Sequence, residues 1–131
     1  MTSIRPKPVL WIGSSRKDIR GLPEPVQRVF GYALHRAQTG GKHPDARPLK
    51  GFSGAGVLEV VEDDDGSTFR AVYTVKFAGA VYVLHVFRKK SKSGTKTPAG
   101  DIERVRARLR AAESHYAKWI QGQQRIREGN G

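Results

Sequence analysis

Arg70, His85 and Lys89 are the residues whose types and setting could do chemistry together. Arg70 interrupts the apolar run "FRAVYTV", His85 interrupts "VYVLHVF", and Lys89 sits in a basic run of Arg88, Lys89, Lys90, Lys92 and Lys96. Arginine and lysine converging without acidic metal ligands make an anion site, and such a site can cleave RNA without a metal. The substrate's own 2′-hydroxyl attacks the adjacent phosphate, and arginine stabilises the charge that develops there. One group with a perturbed pKa takes the 2′ proton and another protonates the leaving 5′ oxygen. Arg70, His85 and Lys89 are the catalytic candidates. Lys50, Lys76, Arg88, Lys90, Lys92 and Lys96 are the candidates for holding RNA phosphates. Each has a plainer reading: Arg70 could pair with Glu59 or Glu62, His85 could be a satisfied core histidine, and Lys89 and Lys90 could be solvated strand ends.

Other chemistries find no support. There is no Walker loop, HExxH, paired CxxC or GxSxG, and no dense Asp/Glu cluster suited to two metals. Asp63 to Asp65 are consecutive and read as a turn. No metal site and no cofactor are expected. The 131-residue chain has no cysteine, so nothing argues for disulfides. Its net charge of +12 is clustered and suits a polyanionic partner such as RNA, DNA or the ribosome. The longest apolar run, Ala78 to Phe87, is too short to span a bilayer, and the first residues lack a signal-peptide core. A cytoplasmic protein without a membrane partner is expected.

The elements that must position these residues follow from periodicity. Val9 to Gly13 is a short strand, and Ser14 or Ser15 can cap a helical turn. Pro23 and Pro25 open a helix whose stripe is Val26, Val29, Phe30, Ala33, Leu34 and Ala37, with Gly40 and Gly41 ending it. Residues 42–56 form a loop. Val57 to Glu62, Phe69 to Phe77 and Ala80 to Phe87 are strands, joined by a turn at Asp63 to Gly66 and a tight one at Ala78-Gly79. The last of them is apolar on both faces and belongs inside the sheet. Thr97 and Pro98 start a helix with the stripe Ile102, Val105, Leu109, Ala112, Tyr116 and Trp119. Its opposite side is expected to carry Arg104, Arg106, Arg108 and Arg110. Residues 1–120 are expected to form a single domain, followed by a polar, frayed tail at 121–131. If Ala78-Gly79 is a two-residue turn, Val72 faces His85 and Arg70 faces Phe87. Arg70, His85 and Lys89 then share one face, a concave basic patch with Phe52 or Phe87 for base stacking.

The ordered set "DIRGLP", "ALHRAQTG", "RPLKGF", "VLEV", "FRAVYTV" and "VYVLHVFRKKSKSGTKTP", followed by an amphipathic helix, resembles the HigB-like branch of the RelE/ParE toxin superfamily, phage-derived members included. The resemblance covers about residues 9 to 115. It implies a small α+β fold, an antiparallel twisted sheet of three to four strands with N-terminal helices and a C-terminal helix packed on one face. It implies the toxin of a type II toxin–antitoxin pair, an mRNA endonuclease acting on translating ribosomes and silenced by an antitoxin, often a helix-turn-helix protein. Arg70 matches the arginine of the family's "YR.VY" strand, a transition-state stabiliser, and Lys89, Arg88 or Lys90 matches the basic residue after the last strand. Where ribosome-dependent members often carry lysines, this chain has Glu59 to Glu62 and the Asp turn. The C-terminal tyrosine or histidine of some members has no clear counterpart, and Tyr116 reads as core. Two alternatives follow from the same resemblance: a non-enzymatic toxin that poisons DNA gyrase, and an inactive phage-derived RNA-binding module.

Overall fold

The structure, a computed structural model, describes residues 5–89 and 96–129. In chain order the elements are β1 (Val9–Trp11), α1 (Ser15–Arg20), α2 (Glu24–Gln38), β2 (Arg47–Pro48), β3 (Val57–Asp64), β4 (Ser67–Thr74), β5 (Val81–Lys89) and α3 (Ala99–Gly129). The strands form one sheet in the order β1-β5-β4-β3-β2. The α+β class is as expected, but there are five strands, and the sheet is antiparallel only from β5 to β2. β1 runs parallel to β5, pairing Val9 with Val81 and Trp11 with Val83. β2 is two residues long and includes Pro48, a residue that a sheet tolerates at its edge.

The β3–β4 hairpin closes at Asp65 and Gly66, both with positive φ (47° and 78°). That is the geometry of a two-residue turn that follows the sheet's twist, and Asp-Gly suits it. The β4–β5 connection is longer than the sequence suggests. β4 stops at Thr74, three residues short of Phe77. The Thr74 hydroxyl donates to the Ala55 carbonyl at 3.0 Å and accepts from the Lys76 amide at 3.1 Å, which draws the chain out of the ladder. Pairing then starts one residue off, Thr74 with Tyr82 and Tyr73 with Val83. A bulge at Leu84 takes up the slip, so that Val72 faces His85 and Arg70 faces Phe87 after all.

The bulge also decides which way His85 points. It breaks the alternation of β5, so Val81, Val83 and Val86 enter one core and Tyr82, Leu84 and Phe87 the other. The first core lies under α2, whose Val26, Phe30, Ala33, Leu34 and Ala37 pack on Val60, Phe69, Ala71 and Tyr73. The second lies under α3, whose Val105 and Ala112 are fully buried against Val72, Tyr82 and Leu84. Helices therefore cover both faces of the sheet, not one. β4 and β5 are apolar on both sides, and each side needs a cover. α3 continues through Gly129 instead of fraying at Gln121; beyond Ile120 most of its side chains are exposed.

Tyr73 is 1% exposed, and its hydroxyl has no hydrogen-bond partner among the described residues. Burial pushes its pKa up to about 12, so it stays protonated. Tyr73→Phe removes a buried hydroxyl that is not repaid by a bond. It should raise stability by about 1 kcal/mol in urea denaturation.

Candidate active site

β1 covers β5 only as far as Val83. From Leu84 onward no described strand pairs with the outer edge of β5, and α1 and the first turns of α3 close around it. The Ser15 hydroxyl and the Ile12 amide both donate to the Val83 carbonyl, at 3.1 and 3.0 Å, which pins the start of α1 at this edge. The result is a cleft of about 640 Å³ walled by Asp18 of α1, by His85, Phe87 and Arg88 of β5, and by Asp101 and Arg104 of α3.

His85 is 3% exposed and stacks on Phe87, ring centroids 4.5 Å apart at 16°. Its Nε2 lies 2.8 Å from Asp101 Oδ1 and its Nδ1 lies 3.4 Å from Arg108 Nη1. A guanidinium only donates, so Nδ1 accepts and Nε2 carries the proton that is given to Asp101. Arg108 also donates to the Leu84 carbonyl at 2.9 Å and to Ser14 Oγ at 3.0 Å. It passes so close to Gly13 (φ 58°) that a side chain there would meet its guanidinium. Burial is the main force lowering the His85 pKa; Asp101 opposes it, and the charges of Arg108 and Arg104 add to it. Burial, with Arg104, also lowers the Arg108 pKa. His85 is therefore a neutral imidazole of fixed tautomer near pH 7.

The lowered His85 pKa has a consequence for stability. The folded state resists a proton that the unfolded chain accepts near pH 6.5. Stability from this group is complete above that value and is lost as pH falls towards the lower folded pKa. Urea denaturation between pH 7.5 and 5 should show this loss in the wild type, and His85→Asn should lack that part of it.

Arg70 is 3% exposed and lies deeper, under the start of α3. Its Nη1 donates to Glu59 Oε1 at 3.0 Å and to Thr97 Oγ1 at 2.9 Å, and the Thr97 hydroxyl donates to Glu59 Oε2 at 2.8 Å. Glu59 pairs with Val72 and Arg70 with Val61, so Glu59 and Arg70 are diagonal neighbours on one face. Lys89, opposite Thr68 at the end of the ladder, is also buried. The register thus places Arg70, His85 and Lys89 on the same side of the sheet, as expected. That side is roofed by α3, however, and is no open concave patch.

The phosphate-binding candidates fall into separate places. Arg88 is exposed in the cleft wall, and Lys96 is exposed before α3. Lys90 and Lys92 lie outside the described residues. Lys76 is at the other end of β4 and pairs with Glu113 at 3.1 Å. Lys50 is exposed near that end, beside Phe52, whose ring is covered by the Arg106 guanidinium at 4.8 Å. Phe52 is thereby buried, and of the two rings expected to stack bases only Phe87 borders the cleft.

The four arginines of α3 do not share a face. Residues two apart on a helix point about 160° away from each other. Arg104 and Arg108 turn to the cleft side and Arg106 to the loop side. Asp101, Arg104 and Arg108 were missed as site residues. Their spacing of three and four along one flank, beside the apolar stripe, is the signal that could have found them.

The sequence places this chain in the toxin class of toxin–antitoxin systems. Within that class, the family model described as "Phage derived protein Gp49-like (DUF891)" matches residues 17–110, and the chain belongs to this RelE/HigB-type toxin family. The match includes every cleft residue named above. Among solved structures, a chain of the toxin–antitoxin complex RelBE2 from Mycobacterium tuberculosis is 18% identical; the match covers 70% of this chain and 100% of that one, with a TM-score of 0.42. That likeness is too distant to carry functional detail across. No curated protein matches the chain.

Proposed function

We propose that the protein is a toxin that cleaves mRNA on translating ribosomes, by transesterification in the cleft beside His85. The observation that carries this reading is a cleft in which a fixed His–Asp pair faces Arg88 and Arg104. Both arginines are exposed, and neither makes an ion pair with a described residue. The phosphate sits between the two guanidiniums, which gain most when charge builds on the phosphorane oxygens. A base bordering the scissile bond stacks on the Phe87 side of the cleft. The attacking group is the substrate's own 2′-hydroxyl. Arg70, with Glu59 and Thr97, ties β3, β4 and the start of α3 together, and so holds Asp101 and Arg104 over β5. Lys50, Lys76 and Arg106, at the other end, contact ribosomal RNA. The partner that silences the toxin is a cognate antitoxin of the helix-turn-helix kind, and the site of action is the cytoplasm.

One observation favours a second reading. Glu59 pairs with Arg70 at 3.0 Å, and so occupies the arginine that the resemblance implies as the transition-state stabiliser. A gyrase poison would tolerate that. Induced expression in bacteria, with mRNA 5′ ends mapped by primer extension, separates the two. Codon-phased cuts during growth arrest support the nuclease. Arrest with trapped gyrase–DNA complexes and intact mRNA would replace it.

A further inference from the structure

We propose that Asp101, not His85, takes the proton from the attacking 2′-hydroxyl, and that His85 is a positioning residue that aims Asp101. This rests on the reading of the cleft as an RNA-cleaving site, and assigns within it the group that starts the reaction.

His85 is the obvious base by residue type, and its surroundings deny it the role. Its Nε2 carries a proton already given to Asp101, and its Nδ1 lone pair is engaged by Arg108. At 3% exposure it cannot turn to meet a substrate without breaking both contacts. Asp101 has the opposite character. Oδ1 is held by His85, Oδ2 has no hydrogen-bond partner among the described residues, and the side chain is 28% exposed in the cleft wall. Asp18, the other carboxylate of the cleft, takes the Ser14 hydroxyl at 2.6 Å on Oδ2 and has no bond to His85 that would aim its other oxygen. The chain of contacts Arg108–His85–Asp101 therefore ends on one carboxylate oxygen with a free lone pair, one helical turn from Arg104.

The step balances as follows. Asp101 Oδ2 takes the 2′ proton while the 2′ oxygen forms its bond to phosphorus. The bond from phosphorus to the 5′ oxygen breaks, and that oxygen leaves with the pair and takes a proton from water. The hydroxide so formed recovers the proton from Asp101. The products are a 2′,3′-cyclic phosphate and a 5′-hydroxyl.

The test uses the full-length protein on mRNA-programmed ribosomes, with single-turnover rates and RNA affinity measured separately. Asp101→Asn keeps an oxygen for His85 and should fold with an unchanged melting temperature. Its cleavage rate should fall by about 10²-fold or more with RNA affinity undiminished. Added formate should restore part of the cleavage of Asp101→Ala, which loss of a merely structural contact would not allow. His85→Gln, which keeps an N–H for Asp101, should retain cleavage that His85→Ala loses. Asp101→Asn cutting at the wild-type rate, or His85→Gln being as dead as His85→Ala, would overturn the assignment while leaving the nuclease reading intact. A wild type that cuts no RNA would remove both.

Discussion

Replacing Glu59 by alanine should destabilise the protein by about 3–5 kcal/mol, the usual cost of breaking a buried ion pair from one side. Arg70 is 3% exposed and its Nη1 donates to Glu59; Thr97 uses its hydroxyl to connect the same two side chains. Removing Glu59 takes a paired carboxylate from beside a guanidinium that cannot lose its proton. Marginal stability means that a loss of this size is a large share of the total for a domain of this length. The pair itself is a different matter. Desolvation consumes most of the attraction between buried charges, so joint replacement by Glu59→Leu and Arg70→Met should recover most of the loss. Urea denaturation of the two single variants and the double variant checks this. A Glu59→Ala cost below about 1 kcal/mol, the size of an exposed pair, would show that the network does not hold the start of α3.

Arg88→Glu combined with Arg104→Glu should lower RNA cleavage by about 10²–10³-fold or more, the effect of removing one dedicated donor to a developing anion. Here two positive charges become negative in one cleft. The fold should not notice: both side chains are exposed, and surface changes of this kind stay within about 0.5 kcal/mol each. The same double change at Lys50 and Lys76, at the far end of the sheet, should weaken binding to ribosomes and reduce its salt dependence, with less effect on the chemical step. Rates on programmed ribosomes at two salt concentrations separate these contributions. Equal losses from both ends would mean that the cleft is no special place.

Much of the fold was legible because it depends on local pattern. The stripe of α2, the Asp-Gly turn and the three long strands all follow from periodicity and turn chemistry. The facing of Arg70 and Phe87 was legible for an incomplete reason. The tight turn at Ala78-Gly79 gives that register, but the chain first slips by one residue and then recovers it at the Leu84 bulge. Nothing in "VYVLHVF" marks where the extra residue falls. The parallel pairing of β1 was hidden as well, since three residues carry no sign of their direction. The site was less legible than the fold. Arg70, His85 and Lys89 do share a side of the sheet, but which helix covers that side is a tertiary outcome. Asp101 was overlooked because it looks like an ordinary acidic residue in the first turn of a helix, favourable to the dipole and needing no further reason. Only the 2.8 Å contact with His85 gives it one.

The most direct test of RNA transesterification by this toxin is the chemistry of the cut ends. Wild-type protein should be added to ribosomes programmed with a defined mRNA, and with the same mRNA carrying a 2′-deoxy nucleotide at the cut. The mechanism requires a 2′,3′-cyclic phosphate and a 5′-hydroxyl on the first, and no cut at the substituted position on the second. A 3′-hydroxyl with a 5′-phosphate, or undiminished cutting at the deoxy position, would contradict it.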